Sequence, residues 1–181
     1  LEIGLKYIAR NNNFDYETII DSNEILTYSN NDIFDYRQRV ASTYISSQFS
    51  FSKNIGLVIG SRYELTDING KWENNSIPDF NGKPYGNFLP NLVLSKKFSM
   101  TKSLKLSYNK RIRRPSSYYI NPNIGRTDNK NIIIGNPNLK PAISEQIEIG
   151  YNSFGKFLQS SYYVYLKNTK DVIESIITIE D

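Results

Sequence analysis

The sequence predicts an all-β chain: antiparallel, up-and-down transmembrane β-barrel strands, about eight of them, forming an arc of a larger barrel. Three observations predict it. Apolar and polar residues alternate with period two in successive segments, the pattern of strands with one apolar and one polar face. Short and long connections alternate along the chain, the order of a barrel that turns tightly on one side of a membrane and loops freely on the other. Tyrosines stand near the ends of several apolar stripes, where interfacial aromatic residues belong.

The elements follow in order. In Leu1–Arg10, Leu1, Ile3, Leu5 and Tyr7 alternate with Glu2, Gly4 and Lys6. Ile33–Phe49 is strand-like, with its two faces unassigned. In Gly56–Thr66, Leu57, Ile59, Tyr63 and Leu65 alternate with Gly56, Gly60, Arg62, Glu64 and Thr66. Phe88–Ser95 sets Leu92 and Leu94 against Asn91 and Ser95. Ser103–Arg113 sets Leu104, Leu106 and Tyr108 against Lys105, Ser107, Asn109 and Arg111. Ile147, Ile149 and Tyr151 form the apolar stripe of Ser144–Asn152, and Tyr162, Val164 and Leu166 that of Gln159–Lys167. Asp171–Ile179 is expected as an eighth strand. The short connections are Ser50–Asn54, Ser99–Lys102 and Ser153–Lys156. The long ones are Asn11–Asp32, Ile68–Asn87 and Arg114–Ile143, and their Asn69-Gly70 and Asn81-Gly82 pairs suit tight hairpin turns.

Composition narrows the chemistry. The 181 residues include 14 Tyr and 9 Phe, too aromatic for a disordered chain, yet only 39% are hydrophobic. A wall one residue thick explains this, because only every second strand residue needs to be apolar. There is no Cys and no His, which removes disulfides, thiolate and His-dependent nucleophiles, and Cys- or His-ligated metals. Nucleotide-binding glycine motifs and calcium loops are missing. Composition leaves a two-carboxylate glycosidase open, but no pair of carboxylates stands out. The expectation is no enzyme, no cofactor and no metal. Net charge is +4, and its one concentration is Lys110-Arg111-Ile112-Arg113-Arg114. With no recognition helix beside it, this run reads as a solvated strand end, and no nucleic acid is expected as a partner. No run of apolar residues is long enough for a transmembrane helix. No signal peptide is evident, and the chain starts and stops inside patterned segments, so 1–181 is expected to be a single partial barrel domain.

One stretch carries a resemblance. Ser107-Tyr108-Asn109-Lys110-Arg111-Ile112-Arg113-Arg114-Pro115-Ser116 leads through Ile120-Asn121-Pro122 and Asp128 to Gly135-Asn136-Pro137-Asn138-Leu139-Lys140-Pro141. Ser144-Glu145 and the strand Ile147-Glu148-Ile149-Gly150-Tyr151 close it. Upstream, Phe34-Asp35-Tyr36 and Gly60-Ser61-Arg62-Tyr63-Glu64-Leu65-Thr66 also fit. In this order the pieces resemble the outer-membrane β-barrel family of TonB-dependent receptors found in Bacteroidota, over most of residues 31–175. The resemblance implies a barrel of about 22 strands with a plugged lumen, of which this chain is the middle or later third. It also implies a bacterial outer-membrane location and ligand uptake, with outer-membrane lipid, a plug domain and TonB as partners. Plug and TonB contacts would come through parts of the protein not in this chain. The transported ligand is unknown.

Site candidates divide in two. By parity Arg62, Glu64, Lys105, Arg111, Arg113, Gln146 and Glu148 share the polar face. There they form either a mutually paired wall or a ligand route whose arginines attract anionic groups. Trp72, Tyr85, Tyr118 and Tyr119 fall in expected outer loops, able to stack on ligands or to pack the loops together. The ligand-binding candidates are therefore Arg62, Glu64, Trp72, Tyr85, Arg111, Arg113, Tyr118 and Tyr119. The motif residues Arg114, Pro115, Asn121, Pro122, Gly135, Asn136, Pro137, Leu139, Pro141, Glu145 and Tyr151 read as structural, with Gly135-Asn136-Pro137 shaping a turn and the prolines stiffening the long connection, and direct ligand contact by that connection is the alternative. Two alternatives stand beside the receptor. One is a small closed outer-membrane barrel for anchoring or adhesion, which needs the first and last strands to pair. The other is a secreted β-sandwich carbohydrate-active domain, which needs Leu57, Ile59, Leu104, Leu106, Ile147 and Ile149 in one buried core.

Overall fold

The computed structural model describes residues 1–22, 25–73, 79–122, 125–126 and 132–179, with side chains over 1–15, 33–73, 79–122 and 133–179. In chain order the elements are β1 (Glu2–Ser22), β2 (Ile25–Ser52), β3 (Ile55–Trp72), β4 (Phe80–Asn81), β5 (Tyr85–Lys97) and β6 (Lys102–Arg113). Then come α1 (Ser117–Ile120), β7 (Gly125–Arg126), β8 (Ile132–Ile133), β9 (Ala142–Phe154) and β10 (Gln159–Lys170). Seven long strands pair in the order β1-β2-β3-β5-β6-β9-β10, and β4 adds to β3 to make an eight-stranded sheet. Every pairing in it is antiparallel. The sheet is open, because β1 and β10 are its edges and do not pair with each other.

Alternation explains why these segments are strands. One row crosses the sheet from Phe49 through Leu57, Leu94, Leu106 and Ile149 to Val164. The next row, two residues along, runs through Ile59, Leu92, Tyr108, Ile147 and Leu166. A period of two puts both rows on the same face. That face is uncovered: Ile59, Ile147 and Ile149 each keep between 44% and 48% of their surface. The six residues that a sandwich would bury together are absent from the buried cluster of the described residues. Tyr7, Tyr63, Tyr108 and Tyr151 all project from this outward face. Tyr7 lies in the row of Leu65, Tyr151 in the row of Leu104, and Tyr108 midway in the row of Ile59.

The buried core lies on the other, inner face, at the end away from the short turns. Phe34, Tyr36, Ile68, Trp72 and Ile120 form it, with Phe14, Phe80 and Tyr85 packed against them. Along β3 the apolar residues other than Val58 are odd-numbered up to Leu65 and even-numbered from Ile68 to Trp72. The β2–β3 register runs unbroken from Phe34↔Trp72 to Ser50↔Gly56. The change of parity is therefore a change of environment and not a slip of the strands.

Four expectations are corrected. Asn11–Asp32 is not a loop over its described residues, since β1 and β2 pair antiparallel there as far as Ser22↔Ile25. Its residues are mostly polar and its apolar ones keep no steady period of two, so no apolar stripe reveals the ladder. Asn69-Gly70 is not a turn but extended β3, and no described glycine has positive φ. Trp72 and Tyr85 are strand residues at the ends of β3 and β5, not loop residues. Asp171–Ile179 is not a strand. Lys170 is the last residue of the ladder, and Asp171 turns the chain out of it at φ 53°, in the left-handed region. The short β4 supplies the eighth strand instead. Asp128 lies outside the described residues.

Candidate functional site

Even-numbered β3 residues point inward, and this parity builds the charged part of the site. Glu64 is nearly buried, with 9% of its side chain exposed. Each carboxylate oxygen meets a guanidinium: Oε1 lies 2.8 Å from Arg62 Nε, and Oε2 pairs with Arg114. Arg114 comes from the exit of β6, and its Nε also donates to Thr66 Oγ1 at 3.0 Å. Thr66 is fully buried. A carboxylate this poorly hydrated needs such partners, because desolvation disfavours its charge. Arg62 keeps half its side chain exposed and remains within reach of solvent.

Beyond this cluster the inner face is aromatic. Phe14, Phe34 and Trp72 are opposite one another across β1, β2 and β3. Phe34 stacks on Trp72 with ring centroids 4.5 Å apart and planes at 18°, and on Phe14 at 6.1 Å and 21°. Ile120 of α1, 1% exposed, packs into this pad. Burial, and secondarily Tyr85 nearby, pushes the Tyr36 phenol up to about 12.

The connection after β6 folds back over this face. Pro115 is buried, and a single helical turn follows, with Ser116 O accepting from the Tyr119 and Ile120 amides. Gly135 N donates to Asn121 O at 2.9 Å and Asn136 N to Tyr119 O at 2.7 Å, tying the far end of the connection to α1. A Cβ on residue 135 would meet Asn121 O at 2.3 Å, so only glycine fits there. Asn136 Oδ1 then accepts from Asn138 N at 2.9 Å, and the chain turns through Pro137.

The candidates named from sequence thus separate. Arg62, Glu64, Trp72 and Tyr85 come together around Arg114 and the aromatic pad. Trp72 is 3% exposed and offers little surface to a ligand. Arg111 and Arg113 sit on the inner face of β6 and are exposed. Tyr118 is exposed and meets Tyr119 edge-on at 5.4 Å. Lys105 and Gln146 are also inward, and Gln146 donates to Glu148 at 3.2 Å. Among the motif residues, Asn121 is buried beside Pro122, while Leu139 and Pro141 are half-buried before β9. Glu145 instead faces outward and pairs with Lys110 at 3.2 Å. Tyr151 faces outward too, opposite Leu104.

Sequence reasoning missed Phe34, Tyr36, Ile68, Thr66 and Ile120 as parts of the site. The parity change in β3 was the available signal. Among the described residues no group of three or more acidic residues is placed to hold a metal ion. No described helix is long and apolar enough to cross a membrane, which leaves crossing by strands open. The arrangement is a charged inner wall with an in-folded, pinned connection. The pattern of the outer membrane protein beta-barrel family matches residues 1–181. No curated protein matches the chain.

Proposed function

This chain belongs to the outer membrane protein β-barrel family, and from that membership we propose that it forms part of the wall of a TonB-dependent receptor, of the kind found in Bacteroidota. The chain lies in the bacterial outer membrane. Its outward apolar rows meet lipid, and its short turns face the periplasm, as in such barrels generally. The proposed task is uptake of a ligand too large or too scarce for a porin, with no catalysis by this segment.

The observation that carries the reading is the open arc. Seven long strands leave the edges of β1 and β10 unpaired. Unpaired backbone in hydrocarbon costs several kcal/mol per group, roughly, so further strands must complete the wall. A barrel of about 22 strands carries a plug in its lumen, whereas a porin of about 16–18 keeps an open channel. A plug resting on the charged inner face suits the larger barrel, since Arg62, Arg111 and Arg113 still present charge there. TonB would act on the plug and not on this segment.

The test uses the full-length protein in cells. Uptake is followed for a panel of iron chelates, cobalamin, peptides and glycans, with and without a protonophore and in a TonB-deficient strain. The receptor reading expects at least one compound whose accumulation requires the protein, the proton gradient and TonB together. Accumulation that persists without gradient and TonB would make the protein a passive channel.

A further inference from the structure

One inward row crosses all seven long strands, from Glu2 through Ser46, Gly60, Asn91, Asn109 and Gln146 to Lys167. It divides the charge of the inner face unevenly. From this row toward the short turns, the strands set Lys97, Lys105 and Lys167 against Glu2 and Glu148, which is close to balance. Toward the loop end, Lys6, Arg10, Arg62, Arg111, Arg113 and Arg114 share the face with one strand carboxylate, Glu64.

Glu64 is already engaged by Arg62 and Arg114. Among the described residues Lys6, Arg10, Arg111 and Arg113 take part in no ion pair, and all four are exposed. Arg10 donates to Gln38 Oε1 at 3.3 Å. The remaining carboxylates do not answer this surplus. Asp15, Asp35, Asp67 and Glu145 project outward, Glu145 onto Lys110. Glu73 and Asp79 lie beyond Trp72, whose amide donates to Asp79. Asp171, past the last rung of β10, pairs with neither arginine of β6. Arg62 and Arg111 each stand two residues past the dividing row, where β3 and β6 are two strand spacings, roughly 10 Å, apart. Arg114 reaches across that interval to Glu64, so cationic groups continue from β3 to β6. A plug that fills the lumen touches both halves of the wall and gives no reason for surplus charge at one end. A solute arriving from the loop side meets that end first.

We propose that the loop-end half of the inner wall binds a small polyanion, a solute with two or more carboxylate or phosphate groups, and that Arg111 and Arg113 hold it. Their guanidinium forks take anionic oxygens two at a time. Lys6, Arg10 and Arg62 extend the positive field that draws the anion along the wall. The proposal names the ligand class of the uptake reading and rests on it. Binding is measured on purified protein and uptake in cells, so the two can fail separately.

The test is isothermal titration of the full-length protein in detergent with citrate, tripolyphosphate, triethyl citrate or spermine. Citrate or tripolyphosphate should bind saturably, and uncharged triethyl citrate and cationic spermine should not. R111Q/R113Q should lose roughly tenfold or more in affinity for the anion, and R111K/R113K should recover part of it. K97Q/K167Q, in the turn-end half, should bind like wild type. Heat-modifiable gel mobility checks that each variant is folded. Failure of both anions to bind, equal binding of triethyl citrate, or undiminished affinity in R111Q/R113Q would overturn the proposal. If that last variant also exposes its plug to protease, the plug is the partner of these arginines instead. Anion binding lost in R111Q/R113Q, without TonB-dependent uptake in cells, upholds the site and counts against the receptor alone.

Discussion

The ring of Phe34 lies over Gly70, so close that a Cβ on residue 70 would meet Phe34 Cε2 at 2.7 Å. Phe34 cannot yield easily, because it is fully buried between Phe14 and Trp72. Gly70→Ala in the full-length protein is expected to destabilise the extended end of the β2–β3 hairpin by about 1–3 kcal/mol. Denaturant unfolding followed by hydrogen exchange of β3 would read it. Unchanged protection at residues 68–72 would mean that the pad is not packed as described.

Arg114 joins the exit of β6 to Glu64 and Thr66 on β3, across 50 and 48 residues of sequence. Arg114→Ala strands a nearly buried carboxylate with only Arg62, and about 3 kcal/mol of stability should go with it. Arg114→Lys should recover little, because one ammonium cannot reach both partners with the same planar fork. A double-mutant cycle with Glu64→Gln measures the coupling, and additive effects would deny it.

Gly135→Ala should loosen the connection without touching the barrel wall. Its Cβ would collide with the backbone oxygens of Asn121 and Tyr119, and neither is a flexible side-chain tip. Limited proteolysis should then cut within residues 114–141 several-fold faster, while heat-modifiable gel mobility stays unchanged. An equal cleavage rate in wild type and variant contradicts the pinning.

Tyr36 lies beyond the lipid-facing rows, opposite Gly70, and its pKa is pushed up to about 12 from an ordinary 10. The folded phenol holds its proton more tightly than the unfolded one. Its contribution is therefore complete below pH 10 and is lost as pH rises toward about 12. Tyr36→Phe keeps the ring and removes the proton. The stability difference between wild type and variant should change across that window and be constant below it. A difference that is flat from pH 9 to 12 would mean Tyr36 is not buried as described.

The strands that cross the membrane were legible because lipid on one face and a polar interior on the other force a strict period of two. Leu57, Ile59, Leu104, Leu106, Ile147 and Ile149 announced their face by parity alone. Past Leu65 that rule lapses. Outward Asp67, Asn69 and Lys71 meet water, while inward Ile68 and Trp72 pack, so the same strand reads as a loop to a search for one apolar stripe. Asn69-Gly70 has turn chemistry, but its glycine is required by the Phe34 ring and not by a positive φ. The Glu64–Arg114 pair was invisible because it depends on where a long connection returns. Both residues were singled out in the sequence, but only the three-dimensional path brings them together.

The central claim is a single-layer wall whose odd β3 positions face lipid up to Leu65 and whose even positions carry the core beyond Thr66. The chain has no cysteine, so single cysteines can be placed one at a time along β3. Each is labelled with a fluorophore in the full-length protein, reconstituted in bilayers that carry nitroxide lipids. Quenching should be strong at positions 57, 59, 63 and 65 and weak at 58, 60, 62 and 64. It should vanish at 68 and 72, where a water-soluble quencher should fail as well. Quenching without alternation between 57 and 65, or odd positions reached by the aqueous quencher instead, would contradict the account.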